Sequence, residues 1–440
     1  MGQLLLMASN LESLHRASRS VCSQVRHTAW PHLLRELAGF ERAPIRQLRR
    51  IQKQLREGSY RFSPKRGYAK RKSGGSRRGI TVHNINDRIV QRALLNAMHS
   101  PAVKTQALLG AIPQFLRRAT SFAGTPGRGV PEAIDLARRT IRRGARAYAY
   151  SDMKDFFPRV PRKDVVDLVR ENVEDSAFVD LFAAALETEI ENHAEMEAWL
   201  ALFPLSQVGV SQGSLLSTLA GNLALRDFDA QLNDDRYTMI RYLDDFLILA
   251  ADLDTVAAGF SEAVEHLSRL GMECYQPGDG SHKAALGLVV DGFDFLGCRV
   301  HPSGISPSRK ARQKLLRDIA SMIATAKSEI VCYRQAGARR RTESAFAQTL
   351  VHIDRKIRGW GDAYRFVSNR VAFAQIDVQI DRMLNGFQYW FHHHERGATD
   401  DRARRRMRGI ALLADTPPTD SNHDWRVGGD YAWANGSKSG

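Results

Sequence analysis

The sequence predicts an α+β fold, in which helical regions at both ends of the chain flank a central region of short strands. Apolar residues recur at helical spacing over residues 11–55 and again over residues 308–394. Between them, the β-rich segments Tyr237–Ile240 and Phe246–Ala250 lie close enough in the chain to form a hairpin with an acidic tip. Together these patterns favour an antiparallel sheet packed with helices.

The composition points to a polyanionic partner. The chain has 440 residues, long enough for two or three domains, and 43% of them are apolar. Lys and Arg total 64 against 48 acidic residues, which gives a net charge of +16. Such a charge suits binding to nucleic acid, although a basic solubilising surface would give the same total.

The four cysteines, Cys22, Cys274, Cys298 and Cys332, have no CxxC spacing. Neither a zinc cluster nor a disulfide framework is therefore expected, and the thiols should be free in a reducing cytosol. No stretch approaches the roughly 20 apolar residues of a membrane span. We expect a cytoplasmic protein with no membrane partner.

The first part of the chain is basic and mostly helical in pattern. The spacing over residues 11–55 ends at Gly58-Ser59. Residues 65–80 combine a run of Lys and Arg with Gly and Ser, which predicts a hairpin or loop between two short strands. A solvated turn explains the same composition. Helical spacing resumes over Asp87–Met98.

Further along, helices alternate with strands. The patterns predict a helix over Glu132–Arg143 and then a strand over Ala147–Ser151 that ends on Asp152. Residues 162–202 look helical, and an apolar helix is predicted over Leu215–Leu232.

After the acidic hairpin the patterns predict a helix over 254–270 and a strand pair around Leu286–Val300. The tail from Arg396 onward is charged and then rich in Gly, Ser and Asn, so disorder is expected near its end.

The acidic tip of the hairpin, Asp244-Asp245, indicates a metal site. Two adjacent carboxylates repel each other, and a bound cation offsets that cost. Mg²⁺ prefers oxygen ligands and leaves positions open for substrate phosphate. Asp152, at the end of a neighbouring strand, is the best third ligand of a two-metal site with ions about 3.5–4 Å apart. The pairs Asp234-Asp235 and Asp400-Asp401 lie in polar surroundings and are read as solvated surface.

Several motifs resemble those of reverse transcriptases, and they occur in the family's order. Tyr242-Leu243-Asp244-Asp245 resembles the YxDD box, and Ser151 to Phe157 (SDMKDFF) resembles the first catalytic motif. The other similar motifs are Arg78-Gly79-Ile80, residues 86–91 (NDRIVQ), residues 210–214 (VSQGS) and Phe295-Leu296-Gly297. The similarity spans roughly residues 45–395.

The resemblance implies a right-hand polymerase fold, with fingers and palm built from an antiparallel sheet plus helices and with an α-helical thumb. The expected ranges are a basic helical N-terminal region at 1–55, fingers at 56–145, palm at 146–305 with part of the fingers interleaved at about 160–205, thumb at 306–395, and a charged, flexible tail at 396–440.

The resemblance also implies roles for single residues. Asp152, Asp244 and Asp245 would be catalytic and would hold two Mg²⁺ ions, for which Mn²⁺ is the expected substitute. Phe157 would be the steric gate that excludes a 2′-hydroxyl, with Phe156 beside it at the nucleotide, although core packing explains an FF pair equally simply.

The remaining implied contacts are to nucleotide and nucleic acid. Gln212 and Gly213 would line the nucleotide pocket, Arg78 and Lys72 would cover the triphosphate, and Lys283 would lie near the leaving pyrophosphate as a general acid or as a solvated lysine. The expected nucleic-acid contacts are Tyr242, Arg309, Lys310, Arg358 and Trp360, of which Trp360 also suits a helical core.

The chain resembles most the stand-alone bacterial reverse transcriptases of the group II-intron-like and defence-associated type. That subclass implies dNTP substrates, a noncoding RNA template, a DNA product and a role in antiphage defence, with a homo-oligomer or an accessory defence protein as further partners. A group II intron maturase and a retron enzyme are alternatives. So are a non-catalytic RNA-binding scaffold and an RNA-dependent RNA polymerase, although an aromatic residue at Phe157 argues against the last.

Overall fold

The computed structural model describes residues 2–71, 75–333 and 345–413. The chain divides into two compact units, residues 1–305 and residues 306–440. Each unit has its own apolar core. None of the helices in the described ranges is both long and apolar enough to cross a membrane.

The helices of the first unit are α1 (Gln3–Ala8), α2 (Leu11–Val25), α3 (Pro31–Glu41), α4 (Pro44–Arg56), α5 (Ile85–Met98), α6 (Val103–Leu108), α7 (Ile112–Leu116), α8 (Val130–Arg142), α9 (Phe156–Arg159), α10 (Arg162–Asn172), α11 (Ser176–Leu186), α12 (Ser217–Ala224), α13 (Arg226–Gln231) and α14 (Leu253–Arg269). Two 3₁₀ helices span Ala194–Leu202 and Val289–Asp291.

The strands are β1 (Arg66–Arg71), β2 (Arg77–Val82), β3 (Ala147–Lys154), β4 (Tyr237–Tyr242), β5 (Asp245–Ala250), β6 (Glu273–Cys274), β7 (Ala284–Leu288), β8 (Phe293–Phe295), β9 (Cys298–His301) and β10 (Gly304–Pro307). The strands β1 and β2 form an antiparallel hairpin, as the sequence predicts, and β8, β9 and β10 form a small sheet.

The central sheet is built around β3, which pairs antiparallel with β5 and β7 along its length and with β6 at its end. Strand β4 pairs antiparallel with β5 and completes the sheet. Helix α14 packs against β3 and β5, and α8 packs against β4 and β5. Because β5 is an inner strand covered by helices, all its residues from Phe246 to Ala250 are buried, which explains their continuous apolar run.

Capping residues define several helix starts near this sheet. The Asp252 side chain accepts a hydrogen bond from Thr255 N at 2.8 Å and begins α14. The Asn84 side chain likewise accepts one from Asp87 N at 2.8 Å and begins α5. Each bond satisfies a backbone donor that the first helical turn leaves open.

Two predicted helices are wrong in extent. The apolar helix over 215–232 is divided into α12 and α13 at Leu225, a single non-helical residue that apolar spacing does not reveal. After α11, residues 187–193 are not helical. There the Asn192 side chain accepts from Gly67 N at 2.8 Å and donates to Gly67 O at 3.1 Å, so a contact with β1 replaces the helix.

The second unit is helical, with α15 (Arg309–Tyr333), α16 (Phe346–Ala363), α17 (Val371–Glu395) and α18 (Asp401–Arg408). Helix α18 corrects the prediction of a flexible tail from Arg396. The Asp400 side chain accepts from Ala403 N at 2.6 Å to cap the helix, and Ala403 and Met407 are buried. Residues 414–440, where disorder is predicted, lie outside the described residues.

Candidate active site

Pairing between β3 and β5 brings the predicted catalytic carboxylates together. In the antiparallel register Asp152 lies directly opposite Asp245. The N–H of Met153 donates to the carbonyl of Asp244 at 2.9 Å, which fixes the end of β3 against the turn of the hairpin. The pairing therefore brings the backbones of the three aspartates close to one another at the end of β3.

The turn that carries Asp244 is strained. Tyr242 pairs with Asp245 across β4 and β5, so that the loop contains only Leu243 and Asp244. Leu243 has φ of 63°, in the left-handed region, at a hairpin position where glycine is preferred. For a leucine this conformation costs about 1–2 kcal/mol. Surrounding contacts must supply that energy, and the sequence gives no sign of the strain.

The electrostatics of the turn favour a bound cation. Burial, together with the neighbouring charges of Asp244 and Asp152, raises the pKa of Asp245 to about 7. The pKa of Asp244 is also raised, first by burial and then by Asp152, while Lys283 and Arg78 oppose the shift. Asp244 and Asp245 are thus harder to ionise than free aspartates, and Lys283 and Arg78 offset only part of their negative charge.

Lys283 is the cation nearest to these carboxylates. Its Nζ contacts the Asp152 Oδ2 at 2.5 Å and lies 4.4 Å from the ring centre of Tyr275. Backbone bonds fix the same three residues, since Asp152 N donates to Lys283 O and Tyr275 N donates to Asp152 O, both at 3.1 Å. Partial burial lowers the pKa of Lys283, but the hydrogen bond to Asp152, the charge of Asp152 and the contact with Tyr275 together outweigh burial, and the net shift is upward.

The donor set fits a hard divalent cation, although no site is preformed. In the described ranges no three His, Cys, Asp or Glu side chains are gathered to hold one ion, and Asp152 is engaged by Lys283. The donors available are carboxylate oxygens alone, which Mg²⁺ and Mn²⁺ prefer. A bound cation would offset the burial and mutual repulsion that raise the pKa values of Asp244 and Asp245.

The two phenylalanines after β3 have different environments. Asp155, with φ of 46°, turns the chain into α9. Phe156 is 2% exposed, and its ring lies so close to Gly221 that a Cβ there would be 2.6 Å from it. The Phe156 ring is therefore occupied by core packing, and its contact with a nucleotide stays a prediction. Phe157 is only partly buried and packs against the outside of the same core.

The segment with Gln212 and Gly213 is held against β2 of the fingers hairpin. Thr81 N donates to Gln212 O at 2.8 Å. Gly213 has φ of 126°, and a Cβ there would lie 2.0 Å from the carbonyl oxygen of Thr81. Arg78 is exposed on the same strand and acts electrostatically on Asp244. Lys72 lies outside the described residues.

The predicted nucleic-acid residues are distributed over both units. Tyr242 is partly exposed beside the acidic turn in the first unit. In the second unit Arg309 and Lys310 are exposed at the start of α15, and Arg358 binds Asp354 at 2.8 Å. Trp360 packs within its own unit, with ring centres 4.6 Å from Tyr364 and 5.6 Å from Phe373.

The sequence reasoning missed Arg241, the residue before Tyr242. It is fully buried and paired with Asp229. The available signal was a charged residue within an otherwise apolar strand, since such a residue needs a buried partner.

The match to a family model identifies the class of protein. The model described as reverse transcriptase (RNA-dependent DNA polymerase) matches residues 64–300. The chain therefore belongs to the reverse transcriptase family. This membership confirms the right-hand polymerase fold, and the enzyme class is RNA-directed DNA polymerase, a nucleotidyltransferase that works with divalent metal ions, an RNA template and a DNA product.

Two curated proteins are similar over part of their length. Protein YkfC of Escherichia coli (strain K12) is 25% identical over 299 residues, which are 58% of this chain and 71% of that protein. An uncharacterized 91 kDa protein in cob intron of Schizosaccharomyces pombe is 25% identical over 182 residues, 41% of this chain and 20% of that protein. Of these two relatives, the first is bacterial and the second is named for an intron.

One solved structure with detectable likeness is an apo telomerase from Candida tropicalis truncated from its C-terminal domain. The TM-score is 0.38 at 12% identity, over 56% of this chain and 55% of that chain.

Proposed function

We propose that this chain synthesises DNA from dNTPs by two-metal nucleotidyl transfer on an RNA template. One observation carries the proposal: the register between β3 and β5 sets Asp152 opposite Asp245, next to a turn that presents Asp244. Burial and mutual repulsion raise the pKa values of Asp244 and Asp245 at these strand ends, and a bound cation would offset both.

The three aspartates would hold the divalent ions. Bound Mg²⁺ would supply activation of the attacking 3′-hydroxyl and stabilisation of the leaving pyrophosphate. Asp152 and Asp244 are proposed as the principal ligands and Asp245 as the supporting carboxylate. The backbone bond from Met153 N to Asp244 O keeps the ligands of β3 and of the turn at a fixed separation.

Other side chains of the first unit would bind and orient the nucleotide. Arg78 is exposed on β2 and offers a planar guanidinium to phosphate oxygens. Lys283 lies at Asp152 and is proposed to donate a proton to the leaving pyrophosphate once a metal ion has taken over its carboxylate partner. Phe157, partly exposed, is proposed to exclude a 2′-hydroxyl.

Binding of template and product would rest on basic surfaces. The net charge of +16 suits phosphate contacts, and the exposed start of α15 contributes Arg309 and Lys310. We propose Tyr242 as a further contact beside the acidic turn. Trp360 is better explained by its aromatic neighbours, which leave it a supporting role in the helical unit.

For biological role we propose a noncoding RNA template and a function in bacterial antiphage defence, in the cytoplasm, with a homo-oligomer or an accessory protein as partners. All four cysteines are free thiols, which suits that compartment. An intron maturase or a retron enzyme is the alternative, since one relative is named for an intron. A non-catalytic scaffold is disfavoured because all three aspartates are present at one site.

The decisive experiment sequences the nucleic acid that copurifies with the protein, together with the DNA made when dNTPs and Mg²⁺ are added. Recovery of one RNA species and complementary DNA supports the proposal and names the template. Synthesis from rNTPs instead of dNTPs, or equal synthesis by Asp244→Asn, would contradict it.

A further inference from the structure

Arg241 is the largest fully buried side chain in the described part of the protein. It lies on β4 next to the acidic turn and is 0% exposed. A buried guanidinium is stable only when its charge is paired and its N–H groups have acceptors. The surroundings of Arg241 meet both conditions, and its guanidinium contacts the turn.

All five N–H donors of Arg241 have acceptors. Nε and Nη2 bind the two carboxylate oxygens of Asp229, each at 2.6 Å, in a bidentate pair. Nη2 also donates to Ser121 Oγ at 2.8 Å. Nη1 donates to Asn222 Oδ1 and to the carbonyl oxygen of Leu243, each at 3.0 Å. No donor of the planar fork is left without a partner.

The bond to Leu243 is the one that bears on catalysis. Leu243 has a left-handed φ of 63° and precedes Asp244 directly. Its carbonyl group therefore sets the plane of the peptide that leads into the catalytic carboxylates. A charged donor held by Asp229 gives this carbonyl a stronger partner than water or a neutral amide would.

The same network ties the turn to a neighbouring segment of the chain. The backbone of Arg241 donates to Thr120 O at 2.8 Å and accepts from Phe122 N at 3.0 Å. Asn222 binds the guanidinium and also donates to Ala123 O at 2.8 Å. The turn is thus fixed to the helices α12 and α13 and to residues 120–123 at the same time.

We propose that Arg241 is a positioning residue that holds the strained Leu243–Asp244 turn in the conformation needed for metal binding. The consequence for metal binding rests on the proposed function, whereas the hydrogen bonds of Arg241 do not depend on it. A lysine has three donors and no planar fork, so it cannot keep both the Asp229 pair and the Leu243 bond. Without that bond the turn relaxes, and Asp244 and Asp245 lose their orientation toward Asp152.

The test compares Arg241→Lys with Arg162→Lys. Arg162 is a matched control, since it is 8% exposed and donates to Ser206 O at 2.6 Å, away from the turn. Metal binding is measured directly, by electron paramagnetic resonance of free Mn²⁺ during titration. Single-turnover incorporation then gives the maximal rate and the KM for dNTP.

We expect Arg241→Lys to weaken Mn²⁺ binding about tenfold and to lower the maximal rate about tenfold or more, with the KM for dNTP within about twofold. Arg162→Lys should lose stability in urea without changing Mn²⁺ affinity. Wild-type Mn²⁺ affinity in folded Arg241→Lys, or equal losses in both variants, would overturn the inference. Should Arg241→Lys not fold, Arg241→Met combined with Asp229→Leu decides, because it removes the Leu243 bond and leaves neither charge of the buried pair unpaired. Unchanged Mn²⁺ affinity in that variant would also overturn it.

Failure of the proposed function gives a different result. In that case the wild-type protein makes no DNA, while the difference in Mn²⁺ affinity between Arg241→Lys and Arg162→Lys remains.

Discussion

Lys283 and Asp152 form an ion pair at 2.5 Å on the end of β3, over the ring of Tyr275. The lysine thus occupies one of the carboxylates that the polymerase motifs assign to metal binding. A bound cation and Lys283 would compete for the same oxygen atoms, which links metal affinity to the proton-donor role of this lysine.

We predict that Lys283→Met tightens Mn²⁺ binding severalfold and slows dNTP incorporation by about a hundredfold. The first effect follows because Asp152 loses a competing cation, and the second because the leaving pyrophosphate loses its proton donor. Electron paramagnetic resonance titration and single-turnover kinetics measure the two effects. The control is Lys154→Met, since Lys154 faces the same tyrosine ring at 5.3 Å but lies near Glu273. Weaker Mn²⁺ binding in Lys283→Met would refute the competition.

Asp152→Asn and Asp244→Asn should each lower dNTP incorporation by about a thousandfold or more, because an amide is a poor ligand for Mg²⁺. Affinity for a primer–template duplex should stay within about threefold, since phosphate contacts elsewhere supply it. Primer extension and fluorescence anisotropy measure these effects. Asp235→Asn, at an exposed acidic pair, is the control and should leave extension unchanged. Normal extension by either active-site variant would exclude the assigned site.

Phe157→Val should relax discrimination against rNTPs by about tenfold or more, because the ring that would meet a 2′-hydroxyl is removed. The neighbouring Phe156→Leu is the matched control. Phe156 packs against Gly221 in the core, so its truncation should lower stability by about 1 kcal/mol without altering sugar selection. The ratio of kcat/KM for dNTP and rNTP is the measurement. Equal sugar selectivity in Phe157→Val and wild type would remove the gate.

Gly213→Ala should destabilise the protein by about 1–3 kcal/mol and reduce nucleotide binding, because its Cβ would overlap the Thr81 carbonyl at a φ of 126°. Gly39→Ala is the control, since nothing lies within 4 Å of a Cβ in that exposed position of α3. There the change should be neutral or stabilising by about 0.5–1 kcal/mol. Urea unfolding distinguishes the two. A Gly213→Ala protein as stable as wild type would show that β2 can move away.

Protonation of the buried His99 should cost stability in mild acid. Burial, with the nearby charges of Arg117 and Arg92, lowers the pKa of His99 to about 4 from 6.5. Because the unfolded state binds a proton at His99 more readily than the folded state does, protonation favours unfolding. The contribution of neutral His99 to the free energy of unfolding is therefore fully present above pH 6.5 and is lost as the pH falls toward 4. Between pH 7.5 and 5 we expect His99 to contribute a loss on the order of 1–2 kcal/mol. The raised pKa of Asp245 acts in the opposite direction, because its protonated form is favoured in the folded state.

Urea unfolding at the two pH values measures this loss. Relative to wild type, His99→Gln should raise the free energy of unfolding at pH 5 more than at pH 7.5, whereas His27→Gln, at an exposed position, should not. An unchanged difference in His99→Gln would place the acid sensitivity elsewhere.

Much of the fold was predictable because its signals are local. The hairpin β4–β5, helix α14 and the strand ending at Asp152 follow from alternation and helical spacing over neighbouring residues. The break at Leu225 and the contact of Asn192 with Gly67 were not predictable, since one non-helical residue and one side-chain contact leave no periodic signal.

The features of the site also divide into those that the sequence predicts and those that it does not. Motif order gave the three aspartates, and the antiparallel register brings them together. Motif order did not show that Phe156 is buried in the core while Phe157 is partly exposed, because adjacent residues in a turn can face either the core or the solvent.

By itself, the sequence determined the enzyme family and the identity of the acidic residues, because short motifs of neighbouring residues identify both. Only the tertiary structure decided which groups surround them. Lys283 meets Asp152 across 131 positions of the chain, and Ser121 meets Arg241 across 120. Contacts over such distances depend on how sheet and helices pack, and no local pattern of residues encodes them.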